Sequence, residues 1–229
     1  SLAATGNTDF GYFGGGFPGS KSTVDRVDYS NDTVSAPAKG PLSAARGYLA
    51  ASSARANGFT AIIGPSVVSN AAAIAGSFNP TNFGYFGGGS SLSTVSRIDY
   101  SNDTAEGVTK GSLSASGPQL AATANSFFGY FGGRQSPTRS LVDRIDFSND
   151  TETAVAKGPL TAGRESLAST SNQSFGYFAG GDDASTTTVQ RIDYSNDTAT
   201  AALKGPLNTG RDRLAATGNA DFGYVGGGA

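Results

Sequence analysis

Apolar residues along this chain fall in short runs separated by Gly-, Ser- and Asn-rich punctuation, and within the runs they alternate in steps of two. In Phe10-Gly-Tyr-Phe13 that period puts Phe10 and Tyr12 on one face and Gly11 and Phe13 on the other. Val24 to Tyr29 alternates likewise, with Val27 and Tyr29 sharing a face opposite Arg26 and Asp28. Gly14-Gly15-Gly16 ends the first of these strands, because glycine takes up positive φ without steric cost. Ser30-Asn31-Asp32-Thr33 is turn chemistry, since Asn and Asp side chains cap their own backbone. No segment shows a convincing helical stripe; the Ala-rich run near Ala71 is the one candidate, and it is short. The pattern predicts an all-β chain of short strands.

The pattern also repeats. Leu2-Ala3-Ala4-Thr5 returns at Leu49, Leu120, Leu167 and Leu214, at spacings of 47, 71, 47 and 47 residues. An aromatic-glycine strand follows at Phe10, Phe83, Phe128, Phe175 and Phe222. After a variable loop, Val24-Asp-Arg-Val-Asp-Tyr-Ser-Asn-Asp-Thr33 is echoed from Val95, Val142 and Val189, and Lys39-Gly-Pro-Leu42 is echoed at Lys110, Lys157 and Lys204. Arg46, Arg164 and Arg211 lead into the next unit. A fixed period of this length signals a repeat architecture. Three or four short strands cannot bury both faces alone, but several such units stacked radially can.

The order of parts resembles the kelch repeat, whose hallmarks are a double glycine after the second strand and aromatics downstream. The kelch Trp is missing, and Lys39, Lys110, Lys157 and Lys204 lie near its place. The resemblance implies a single kelch-like β-propeller over residues 1–229, with five or six blades expected. Units are expected to start near residues 2, 49, 74, 120, 167 and 214, with an irregular segment at 52–73. That segment is either a shortened blade, with Phe59 to Gly64 as a degenerate aromatic strand, or a loop insertion or elaborated strand. Both termini carry the same phase of the repeat, so closure by a terminal strand would duplicate rather than complement. Either the array is longer than this chain, or the C-terminal half unit recruits something else.

Composition narrows the chemistry. The chain has no Cys, His, Met or Trp, and 16 basic against 18 acidic residues give a net charge of −2. A Ser-His-Asp triad and a His- or Cys-ligated zinc site are therefore impossible. A copper oxidase of the kind found among kelch propellers is excluded with them, and no cofactor is expected. The thin charge offers no footprint for nucleic acid and no basic run for a membrane surface. No apolar stretch approaches the length of a membrane span. Glu106, Glu152 and Glu165 leave a carboxylate glycosidase formally open.

Among recurrent motifs, Arg26/Asp28 and its copies read as structural ion pairs or backbone braces, since both faces of a propeller blade pack on neighbours. Asn31, Asn102, Asn149 and Asn196 match the N-glycosylation sequon, but turn chemistry alone explains them. The loops after each double glycine diverge while the scaffold does not, which is how binding surfaces are commonly built. Phe17, Arg134, Gln135, Arg139, Asp182 and Asp183 are the candidate ligand-binding residues on that rim. The texture is similar to kelch-like repeat proteins of marine bacteriophages. That resemblance implies a non-enzymatic virion component, a tail or fibre part that meets a host-surface glycan or protein, or another virion subunit. An intracellular kelch-type scaffold is the alternative.

Overall fold

A computed structural model describes residues 2–53, 82–135, 137–181 and 186–229. The chain is all-β and forms a propeller-like arc of four blades followed by a two-stranded half unit. Blade 1 contains β1 (Ala3–Gly6), β2 (Phe10–Gly14) and β3 (Val24–Asp28), with Ala38 bridged to Asp25 as a vestigial outer strand. Blade 2 contains β4 (Ala50–Ser53), β5 (Phe83–Gly87), β6 (Val95–Asp99) and β7 (Val108–Lys110). Blade 3 contains β8 (Ala121–Ala124), β9 (Phe128–Arg134), β10 (Arg139–Asp146) and β11 (Val155–Ala156). Blade 4 contains β12 (Ala168–Ser171), β13 (Phe175–Ala179), β14 (Val189–Asp193) and β15 (Ala202–Lys204). Unit 5 is the antiparallel pair β16 (Ala215–Gly218) and β17 (Gly223–Gly226).

The expectation of five or six blades is corrected to four. The reason lies in the 71-residue interval: β4 pairs directly with β5, Ala50 opposite Gly87, so the added length falls inside blade 2 between its first two strands. The interval therefore counts as an insertion into one sheet, the second of the two readings. Phe59 to Gly64 and the start near Ile74 lie outside the described residues.

Each blade is closed by local chemistry. Asn7, Asn125, Asn172 and Asn219 accept backbone amides two or three residues on, for example Phe10 N–H at 2.8 Å, which turns the first hairpin. Asp28, Asp99, Asp146 and Asp193 cap the turn after the third strand, each accepting the amide and hydroxyl of the serine two residues on at 2.9 and 2.6 Å. The Arg and Asp of each Arg-x-Asp motif thus do not pair with each other.

Arg26, Arg97 and Arg144 instead reach the next blade, where the aspartate of the Asn-Asp-Thr turn receives them. Asp103 accepts the Tyr12 hydroxyl at 2.9 Å, Arg26 at 2.8 Å and Lys39 at 3.2 Å. Asp150 receives Tyr85, Arg97 and Lys110, and Asp197 receives Tyr130, Arg144 and Lys157, in the same geometry. Lys39, Lys110 and Lys157 therefore complete a three-donor latch between blades. Arg26, Arg97, Arg144 and Arg191 each also lie 4.0–4.2 Å above the first aromatic of their own blade. Aromatic packing fills the same joints. Phe86, Phe131 and Phe178 are fully buried, each against a glycine of the preceding blade, Gly14, Gly87 and Gly132.

Candidate functional site

Two rims bound the inner strands. The β1–β2 hairpins and the Asn-Asp-Thr turns occupy one. The loops after the double glycines and the connectors that lead from one blade to the next occupy the other. On this second rim a hydrogen-bond ladder runs from connector to connector. Gln119 N–H donates to Tyr48 C=O at 2.8 Å, Ser166 N–H to Gln119 C=O at 3.0 Å, and Arg213 N–H to Ser166 C=O at 3.0 Å. All four residues hold positive φ, between 53° and 63°. Non-glycine residues adopt that conformation rarely, and it concentrates at functional positions. The ladder fixes it here and sets four different side chains, Tyr, Gln, Ser and Arg, at one structural position around the mouth.

Phe17 is exposed on this rim and packs on Tyr48, ring centres 5.3 Å apart at a tilt of 37°. The loops are tied to one another rather than independent. Ser20 and Ser90 share a hydroxyl hydrogen bond at 3.0 Å, and Ser90 N–H donates to Gly47 C=O at 2.8 Å. Gln135 is half-buried, donating to Glu165 at 2.9 Å, and Thr138 donates to the other carboxylate oxygen at 3.2 Å. Arg139 is exposed, with its backbone bridged to Arg164.

Arg134 is not a rim residue. β9 runs on through it, and its side chain is wholly buried, paired with Asp143 at 2.8 Å and bonded to Ala115 C=O. The reason lies one blade away. At the preceding joint Arg46 fills the equivalent space, donating to Phe86, Gly88 and Thr94 carbonyls and to Ser96 Oγ. The residue matching Arg46 in the next connector is Gly117, and Arg134 occupies the room it leaves, with its Cβ and Cδ 3.3–3.4 Å from where a Cβ on Gly117 would stand. Burial pushes the Arg46 guanidinium down to about 10, which leaves it charged at neutral pH. Asp182 and Asp183 lie outside the described residues.

Sequence reasoning missed Tyr48, Gln119, Ser166 and Arg213. The signal was present: each is the divergent residue directly before an otherwise constant Leu-Ala strand. A cavity of about 420 Å³ runs between the inner strands, lined by small residues such as Thr5, Ser52, Ser53, Thr123 and Ser169. Among the described residues, no carboxylate borders it. Glu165 is buried and engaged as described, while Glu106 and Glu152 are exposed turn residues. Among the described residues, no group of three or more acidic side chains could hold a metal ion. The four sequon asparagines are exposed, each accepting its own Thr hydroxyl at 3.3 Å. No protein-family model matches the chain, and no curated protein does so significantly.

Proposed function

We propose that this chain is a non-enzymatic binding module of kelch-like type whose rim recognises a surface carbohydrate. The virion setting rests on the resemblance of the repeat texture to kelch-like proteins of marine bacteriophages, and in that setting the ligand is a host-envelope glycan. The observation that carries the reading is the exposed Phe17–Tyr48 pair, with Tyr48 held at a φ of 56° by the connector ladder. Exposed aromatic surface offers an apolar platform, and the amides and guanidinium groups of Gln119, Arg139 and Arg213 supply polar contacts around it. Sites for small ligands commonly combine these two kinds of group. Divergent side chains on a constant backbone allow the preference to change without refolding the scaffold.

The test is labelled protein on a glycan array and on intact cells of candidate marine bacteria. Saturable binding that Phe17→Ala and Tyr48→Ala each weaken at least tenfold, with unchanged circular dichroism, supports the reading. Binding that neither substitution affects, or no binding under multivalent presentation, removes it.

A further inference from the structure

The rim is not electrically uniform, and the difference lies at the joint between blades 1 and 2. Arg46 is wholly buried there. Its guanidinium donates to the carbonyls of Phe86, Gly88 and Thr94 at 3.3, 3.3 and 2.7 Å, and to the hydroxyls of Thr94 and Ser96 at 3.0 and 3.1 Å. Each of these acceptors is neutral. At the joint between blades 2 and 3 the guanidinium in that space belongs to Arg134, and Asp143 balances it at 2.8 Å. Ser96 holds the Asp143 position in blade 2, since Val95-Ser96-Arg97 aligns with Val142-Asp143-Arg144. One residue difference thus leaves the Arg46 charge buried without a counter-ion, an unfavourable state.

A second cation stands opposite the first. Lys21 and Arg46 form an antiparallel bridge, with Arg46 N–H donating to Lys21 C=O at 2.8 Å. Residues directly opposite in such a bridge have Cβ atoms about 5 Å apart, and like charges there repel. Lys21 is exposed, and among the described residues no carboxylate pairs with it or with Arg46. The bridged pair recurs as Arg139 and Arg164, but there the next residue is the buried carboxylate Glu165. The two cations adjoin the Phe17–Tyr48 pair. Phe17, Ser20 and Lys21 share one loop, and Gly16 N–H ties the start of that loop to Arg46 C=O at 2.9 Å. Tyr48 follows Arg46 by two residues in the connector. Ser90 of blade 2 closes the far side at a φ of 48°, its hydroxyl accepting Gly47 N–H at 3.2 Å and meeting that of Ser20 at 3.0 Å. Aromatic surface, hydroxyl groups and uncompensated positive charge therefore meet within two loops and one connector.

We propose that this joint selects an acidic carbohydrate, one whose ring lies on Phe17 and Tyr48 and whose carboxylate or sulfate faces Lys21. The assignment rests on the carbohydrate reading of the rim and names the charge of its ligand. Lys21 makes the ionic contact, and the Ser20 and Ser90 hydroxyls stand in the same two loops to meet ring hydroxyls. Arg46 touches no ligand. It acts through its field, which is weakly screened because the charge is buried and nothing in its cage cancels it.

The test is a glycan array in which uronate-containing and sulfated oligosaccharides stand beside their methyl-esterified and desulfated counterparts. The expected result is several-fold tighter binding of the acidic member of each bound pair, a preference that shrinks as salt is raised. Lys21→Gln should bring the acidic member down toward the neutral one. Ser96→Asp should weaken the preference without altering any exposed residue, because it gives Arg46 the counter-ion that Arg134 has in Asp143. An Arg46 that only held the loops in place would not produce that loss. Circular dichroism checks the fold of both variants, and Lys21→Gln alone decides if Ser96→Asp does not fold. Equal binding of acidic and neutral members, abolished by Tyr48→Ala, overturns this assignment and leaves the carbohydrate reading standing. An acidic preference that survives Lys21→Gln overturns it too, and one that survives only Ser96→Asp removes the part given to Arg46. No binding to any member removes both readings.

Discussion

Asp150 and Asp32 occupy the same place in the same turn, and they live in different worlds. Asp150 lies between two blades and holds Tyr85, Arg97 and Lys110 at once. Asp32 is exposed on the first blade, and among the described residues neither a salt bridge nor a side-chain hydrogen bond forms on its carboxylate. Phe131 and Phe13 differ in the same way, one fully buried on Gly87 and the other left at the edge. A unit of this propeller is therefore not a self-contained block. The free energy resides in the joints, as nearest-neighbour models of repeat proteins require.

The comparison can be broken most forcefully at the aromatic. Phe131→Ala should cost about 3–5 kcal/mol, because the ring vacates a closed joint, while Phe13→Ala in dilute solution should cost under ~1 kcal/mol. Urea unfolding of the two variants checks this, and equal losses would contradict the role assigned to the joints. The latch comes next. Asp150→Ala leaves a buried tyrosine hydroxyl and two partly buried cations without their acceptor, for about 2–4 kcal/mol, against a change within about 0.5 kcal/mol for Asp32→Ala.

The glycine tests packing alone. Gly87→Ala would set a methyl 2.8 Å from the Phe131 ring. It should cost about 1–3 kcal/mol by overpacking, with Gly226→Ala nearly silent. Adding Phe131→Val to Gly87→Ala should then recover stability relative to Phe131→Val alone, because it recreates the Ala179 and Val225 that stand at these two positions where unit 5 meets blade 4. Additive losses in that double variant would mean the fourth joint is shaped by something else.

The smallest effect is on acid. Burial would raise the Asp103 carboxyl, but hydrogen bonds from Tyr12, Lys39 and Arg26 outweigh it and hold the group below its usual range. A carboxylate lowered by folding stabilises the protein above its unfolded value, about 4, and that contribution fades as pH falls through the folded value. The urea midpoint should therefore drop below about pH 4, with a shallower acid slope in Asp103→Asn. An unchanged slope would place the acid sensitivity elsewhere.

The sequence by itself determined the elements and their order. The period of two, the double glycines and the recurring Asn-Asp turns set strand, turn and strand at their observed places, because strand alternation and turn chemistry act over a few residues. It also marked the rim, through loops and connector residues that diverge on a constant scaffold. Pairings across units were decided only by the tertiary structure. Arg26 and Asp28 look like partners in the chain, yet the geometry sends Arg26 across the joint to Asp103, 77 residues away. Arg134 sits in a variable loop of the sequence but lies buried, because a glycine one connector back left a space that a long side chain could fill. The blade count followed the same rule, since length along the chain cannot reveal that Ala50 meets Gly87 across an insertion. Local preferences are written residue by residue, while a joint between blades is a property of two segments that meet only after folding.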